Sequence, residues 1–141
     1  MKSVRAKKKL GQHFLKDLNI ARKISETLTF ENYKKVVEIG PGMGVLTQFL
    51  IEKTKDLNLI EIDSDSAAYL KNLYEEKDFN LIEGDFLKLD IEKTFGSEPL
   101  AIIGNFPYNI STQIIFKTLE HRNQIPFFSG MFQKEVAERI C

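Results

Sequence analysis

The chain has 141 residues, 43% hydrophobic and 28% charged, a composition that fits one globular domain burying roughly two-thirds of its unfolded surface. Basic and acidic residues cancel at twenty each, but residues 1–23 hold eight bases (Lys2, Arg5, Lys7, Lys8, Lys9, Lys16, Arg22, Lys23) against the one acid Asp17, so the remainder carries twelve bases and nineteen acids. No apolar run approaches the ~20 residues of a membrane span, no signal-peptide core follows the basic start, and the lone Cys141 excludes an internal disulfide framework and a cysteine-built metal centre. These features are read as a cytoplasmic protein with a basic arm, residues 1–16, that is either a polyanion contact or a solvated tail, ahead of a body spanning 17–141.

In chain order, "DLNIARKISETL" reads as a helix with Ile20, Ile24 and Leu28 on one face. "KVVEI" (35–39) reads as a buried strand. It leads into "EIGPGMGVLT", where Gly40, Gly42 and Gly44 allow a tight turn and close approach to a ligand at the start of a helix carrying Leu46, Phe49 and Leu50. "LNLIEI" (57–62) is a second strand, and Glu61 lies seventeen residues past Gly44, near the spacing at which an acid accepts from ribose hydroxyls. Glu61 and Asp63 share a strand face, so spacing does not choose between them; Asp63, Ser64 and Asp65 also suit as caps for a helix carrying Leu70, Leu73 and Tyr74.

"FNLIE" (79–83) is a third strand, followed by "EGDF". Asp85 there can accept from an adenine amine under apolar cover from Phe86, or simply make a surface turn. "PLAIIG" (99–104) is a fourth strand ending in "NFPYNIST", with Ser111 placed to cap a helix presenting Ile115, Phe116 and Leu119. His121 reads as a surface histidine, "IPFFSGMF" (125–132) as a fifth strand, and "QKEVAERIC" as the start of another helix.

Strands alternating with helices predict an α/β fold, mainly a parallel sheet with helices on both faces, and ligands beyond the carboxyl ends of the strands. A nucleotide-shaped ligand accounts for the first three strand ends and leaves "NFPY" unused. That motif suits a second, planar substrate bearing an amine. The Asn105 side-chain oxygen and the carbonyl before Pro107 can both accept from one NH₂ group, aiming its lone pair at an electrophile. Tyr108 or Phe106 can stack on the ring, worth about 1–3 kcal/mol per base.

Six motifs in order, "GQHFL", "EIGPGMGVLT", "IEID", "GDF", "NFPYNIST" and "MFQKEVAERI", span essentially the whole chain and resemble the S-adenosylmethionine-dependent ribosomal RNA adenine dimethyltransferases. The ending resembles the small-subunit branch more than the large-subunit, macrolide-resistance branch. The resemblance implies a Rossmann-like methyltransferase fold, with His13, Leu15, Gly40, Gly42, Glu61, Asp85 and Asn105 at the methyl donor. It implies Asn105, Pro107 and Tyr108 as the catalytic pocket around the target adenine, with Phe106 and the arm residues Lys7, Lys8 and Lys9 also on the substrate side. The family dimethylates N6 of two adjacent adenosines near the 3′ end of small-subunit rRNA, which implies the immature small subunit as partner. His13 stands where the family commonly has Asn. Family members continue past "QKEVAERI" with further strands and a helical domain, so the chain is expected to be an incomplete catalytic domain of about five strands, able to self-associate where the full protein is a monomer.

Because a sulfonium methyl is already activated, no covalent nucleophile, general base or metal is expected, only positioning of a flipped-out base. A nicotinamide-dependent oxidoreductase would share the glycine loop and the acid but leave Asp85 and "NFPY" without a role. A non-catalytic RNA-binding or ribosome-assembly protein would rest on the basic arm alone.

Overall fold

The structure, a computed structural model, describes residues 17–106 and 110–131. Its elements are α1 (Leu18–Glu26), β1 (Lys35–Ile39), α2 (Thr47–Leu50), β2 (Leu57–Glu61), α3 (Ser64–Leu73), β3 (Asn80–Glu83), α4 (Ile91–Phe95), β4 (Leu100–Asn105), α5 (Ser111–Glu120) and β5 (Phe127–Met131). All five predicted strands form, each within two residues of its expected ends at the described positions.

They build one sheet in the order β3-β2-β1-β4-β5, parallel throughout. Strand order reverses beside β1: β2 lies on one side of it and β4 on the other. Parallel strands need crossover connections, and each crossover leaves a helix on one face of the sheet. Side-chain alternation therefore feeds two cores. Val36, Leu57, Leu59, Ala101 and Ile103 face one cluster with Ala21, Ile24, Leu50 and Leu70 of α1, α2 and α3. Val37, Ile60, Leu100 and Ile102 face the other with Ile91, Phe95 and Ile114 of α4 and α5. Each buried Leu or Ile contributes about 1.5–3 kcal/mol.

The helices depart from expectation in their faces. On α1 the buried positions are Ala21, Ile24 and Ser25, while Ile20 is exposed. On α3, Leu70 is buried with Ser66 and Ala67, and Leu73 is exposed. The face α5 buries is Ser111, Ile114 and Thr118, leaving Phe116 60% exposed and Leu119 51% exposed. Small polar residues at helical spacing let these helices lie close to the sheet, and hydrophobicity alone misses such a face. Ser111 is not the cap of α5; Ile110 holds that position, with no side-chain cap bond. The short helices α2 and α4 are four and five residues long, and α4, capped by Asp90, has no apolar period long enough to announce it.

β4 and β5 meet through two glycines. A Cβ on Gly130 would lie 2.2 Å from the Gly104 carbonyl oxygen and 2.3 Å from the Phe106 ring, so no other residue fits without movement. Phe106 fills that space and stacks on Phe128, ring centroids 5.0 Å apart and planes 5° from parallel.

Candidate functional site

Register brings four strand ends level. Ile39 pairs with Ile60 and with Gly104, and Glu61 pairs with Glu83. Gly40, Glu61 and Asn105 thus lie side by side at the carboxyl edge of three adjacent strands, and Asp85 follows two residues past Glu83 at the same edge of the fourth. At ~4.8 Å per strand, three spacings cover roughly 14 Å, about the reach of a nucleoside carrying an amino-acid tail.

The loop after β1 turns through left-handed backbone at Gly40, Gly42 and Gly44, with φ of 68°, 57° and 81°, where a side chain would be strained. Glu61 holds this loop. Its Oε1 accepts from the Gly42 amide at 2.9 Å and its Oε2 from the Asp63 amide at 3.0 Å. Burial raises the pKa of Glu61, while the amide bonds from Asp63 and Gly42 pull it back down. Asp63 serves the next helix instead, where its Oδ2 caps α3 by accepting from the amide and hydroxyl of Ser66, at 3.0 and 2.9 Å. Geometry thus separates two acids that spacing leaves equivalent.

Beneath the loop lies a residue that sequence reasoning passes over. Glu38, the next-to-last residue of β1, is 1% exposed and accepts from the Thr47 hydroxyl at 2.6 Å. Burial pushes its pKa up to about 8, with Glu61 adding repulsion and the Thr47 bond opposing. Tyr74 closes the loop from the α3 side, its hydroxyl donating to the Gly44 carbonyl at 3.3 Å. An acid inside an apolar run is the one available signal for Glu38. Ile62 is also missed: it is 46% exposed between the buried Glu61 and Asp63, an apolar surface standing at the strand ends.

Asp85 opens the loop after β3, and its Oδ1 accepts from the Leu87 amide at 2.9 Å. The expected cover from Phe86 is not there. Phe86 is 3% exposed and belongs to the core under α4 and α5, because the turn at Asp85 sends the next side chain inward. Asn105 is half-buried as the last residue of β4. Phe106 is fully buried against Phe128, so its ring has no surface for a base; the amide of Phe106 bonds the Met131 carbonyl at 3.2 Å and keeps the residue in the sheet's line. His13, Leu15, Lys7, Lys8, Lys9, Pro107 and Tyr108 lie outside the described residues. Among the described residues, no helix is long and apolar enough to cross a membrane.

The family model for ribosomal RNA adenine dimethylase matches residues 3–141. The chain belongs to that family. A ribosomal RNA small subunit methyltransferase A of Flavobacterium johnsoniae is 57% identical over 141 residues, which are all of this chain and 54% of that protein. The chain spans about half the length of the curated relatives it matches. Among solved structures, the dimethyladenosine transferase of Plasmodium falciparum aligns over 90% of this chain and 46% of its own at 37% identity, with a TM-score of 0.71. The 23S rRNA methyltransferase ErmE aligns over 89% of this chain and 50% of its own at 28% identity, with a TM-score of 0.75. The Rossmann-like methyltransferase fold implied by the motifs is thus the fold of the dimethylase family.

Proposed function

We propose that this chain carries the donor site and most of the catalytic face of an enzyme that transfers methyl groups from S-adenosylmethionine to N6 of two adjacent adenosines near the 3′ end of small-subunit rRNA. The observation that carries the reading is the alignment of Gly40, Glu61, Asp85 and Asn105 along one sheet edge, in a chain of the dimethylase family.

The donor set fits the proposed cofactor. A carboxylate suits ribose hydroxyls, and the two Glu61 oxygens have about four acceptor sites against the backbone amides of Gly42, Asp63 and Ile62. Asp85 commits Oδ1 to its own turn and keeps Oδ2 for an adenine amine. Ile62 offers an aliphatic face to the purine. The glycine loop admits a ligand to its backbone, as a side-chain-bearing loop would not. When bound, S-adenosylmethionine supplies an electrophilic methyl on sulfur.

The chain's own work is positioning. Asn105 and the carbonyl before Pro107 accept from the N6 amine and turn its lone pair toward the donor side. Tyr108 takes the stacking role, since Phe106 is engaged in the core. His13 and Leu15 complete the donor side, and Lys7, Lys8 and Lys9 meet the RNA backbone of the immature small subunit, in a cytoplasmic setting. β5 stands at one edge of the described sheet with half-buried residues throughout, an edge of the kind that pairs with other chains. The reading therefore includes self-association of the 141-residue chain and a monomeric full-length protein, which light scattering distinguishes.

Calorimetric melting tests the donor reading. S-adenosylhomocysteine should raise the melting temperature and NAD should not. Stabilisation by NAD alone would favour the oxidoreductase class; stabilisation by neither would leave an RNA-binding role.

A further inference from the structure

Lys117 has no place in the donor or acceptor chemistry above, yet it joins the two. It stands in the last turn of α5, the helix that begins at Ser111, six residues past Asn105 in the chain. Its Nζ donates to the carbonyls of Phe86 and Leu89, thirty-one and twenty-eight residues away, and sits 4.9 Å from the centre of the Phe86 ring. Both carbonyls belong to the loop that begins with Asp85. That loop is already folded on itself, with the Leu87 amide on Asp85 Oδ1, the Lys88 amide on the Asp85 carbonyl at 3.0 Å and the Leu89 amide on the Phe86 carbonyl at 3.3 Å. Such a turn directs its carbonyls outward together, and Lys117 supplies one cation to two of them.

Lysine at this place is partly withdrawn from water. Burial pulls its pKa down, and the attraction of Asp85, Asp90 and Glu120 opposes that shift. A surface helix would ordinarily leave such a side chain in water. Here the stem crosses from α5 to the β3–α4 loop, and the ammonium is held by that loop's backbone and by the face of Phe86.

We infer that Lys117 is a positioning residue: it fixes the loop carrying Asp85 to α5, the helix next in the chain after β4 and its terminal Asn105, so that the donor-adenine acceptor and the target-base acceptors keep one spacing. The inference rests on the donor-site reading, and its effect on the donor passes through Asp85.

The test is titration calorimetry with S-adenosylhomocysteine on wild type, Lys117→Met, Lys117→Arg, Asp85→Ala and the Lys117→Met/Asp85→Ala double variant. Lys117→Met should weaken binding roughly tenfold, the scale on which a coupled residue acts on a site it does not touch. Lys117→Arg, which keeps the charge and the donors, should bind within about twofold of wild type. The double variant should bind no more weakly than Asp85→Ala alone, because a residue acting through Asp85 has nothing left to position. A merely structural lysine would give additive losses in the double variant, and that result overturns the inference. So does Lys117→Met binding as wild type does while Asp85→Ala is weakened. Should Lys117→Met not fold, Lys117→Gln takes its place in the same cycle. Absence of binding by wild type itself overturns the donor reading, and the inference with it.

Discussion

The Gly42 amide donates to Glu61 Oε1 at 2.9 Å, so the loop leaving β1 is held by a carboxylate at the end of β2. One side chain therefore shapes the backbone cradle and, in the proposed function, also offers acceptors to the donor. Glu61→Ala removes both. Its affinity for S-adenosylhomocysteine should fall by about 1–3 kcal/mol, read by titration calorimetry. Unchanged affinity would remove Glu61 from the site.

Glu38 gives the fold a pH dependence. Burial raises its pKa from an ordinary 4.5 to about 8, so over that interval the folded chain keeps a proton that the unfolded chain releases. The stability it contributes is full below about 4.5 and drains away as pH rises to about 8. Glu38→Gln keeps an oxygen for the Thr47 hydroxyl and cannot titrate, so its urea midpoint should decline less than wild type between pH 5 and pH 8. Parallel declines would mean that Glu38 does not titrate in this range.

Strands were legible in the sequence because β-branched and aromatic runs such as "KVVEI" and "PLAIIG" have few other uses, and the glycine-rich turn and the acids after β2 and β3 followed from strand-end chemistry. Direction was not legible. Phe86 and Phe106 follow polar residues at strand ends, where residue type gives stacking capacity without saying which way a ring turns; both turn into the core. The α5 face was hidden because Ser111 and Thr118 do the packing beside Ile114. Lys117 touches residues about thirty positions away, and no local pattern carries that contact.

Gly130 is a test of how Phe106 is held. Gly130→Ala puts a methyl 2.3 Å from the Phe106 ring and 2.2 Å from the Gly104 carbonyl, so β4 and β5 must separate or the ring must leave its stack on Phe128. Overpacking of this kind costs about 1–3 kcal/mol. A thermal melt should show the corresponding fall in melting temperature; an unchanged melt would mean the strands yield without cost.

Asn105 is proposed to act on the target amine rather than on the donor. In the protein at the full length of its relatives, Asn105→Ala should lower turnover by roughly 10²–10³, as loss of one preorganised polar contact does. Donor affinity should change much less. Turnover within a few-fold of wild type would take Asn105 out of the acceptor pocket.

The most direct measurement is transfer of labelled methyl groups from S-adenosylmethionine to immature small ribosomal subunits, by the protein at the full length of its relatives, followed by nuclease digestion and chromatography of the nucleosides. A dimethylating enzyme of the small subunit will put label in N6,N6-dimethyladenosine from small-subunit rRNA, and Asn105→Ala will lose it. Label appearing only in large-subunit rRNA, or in no adenosine at all, would contradict that function.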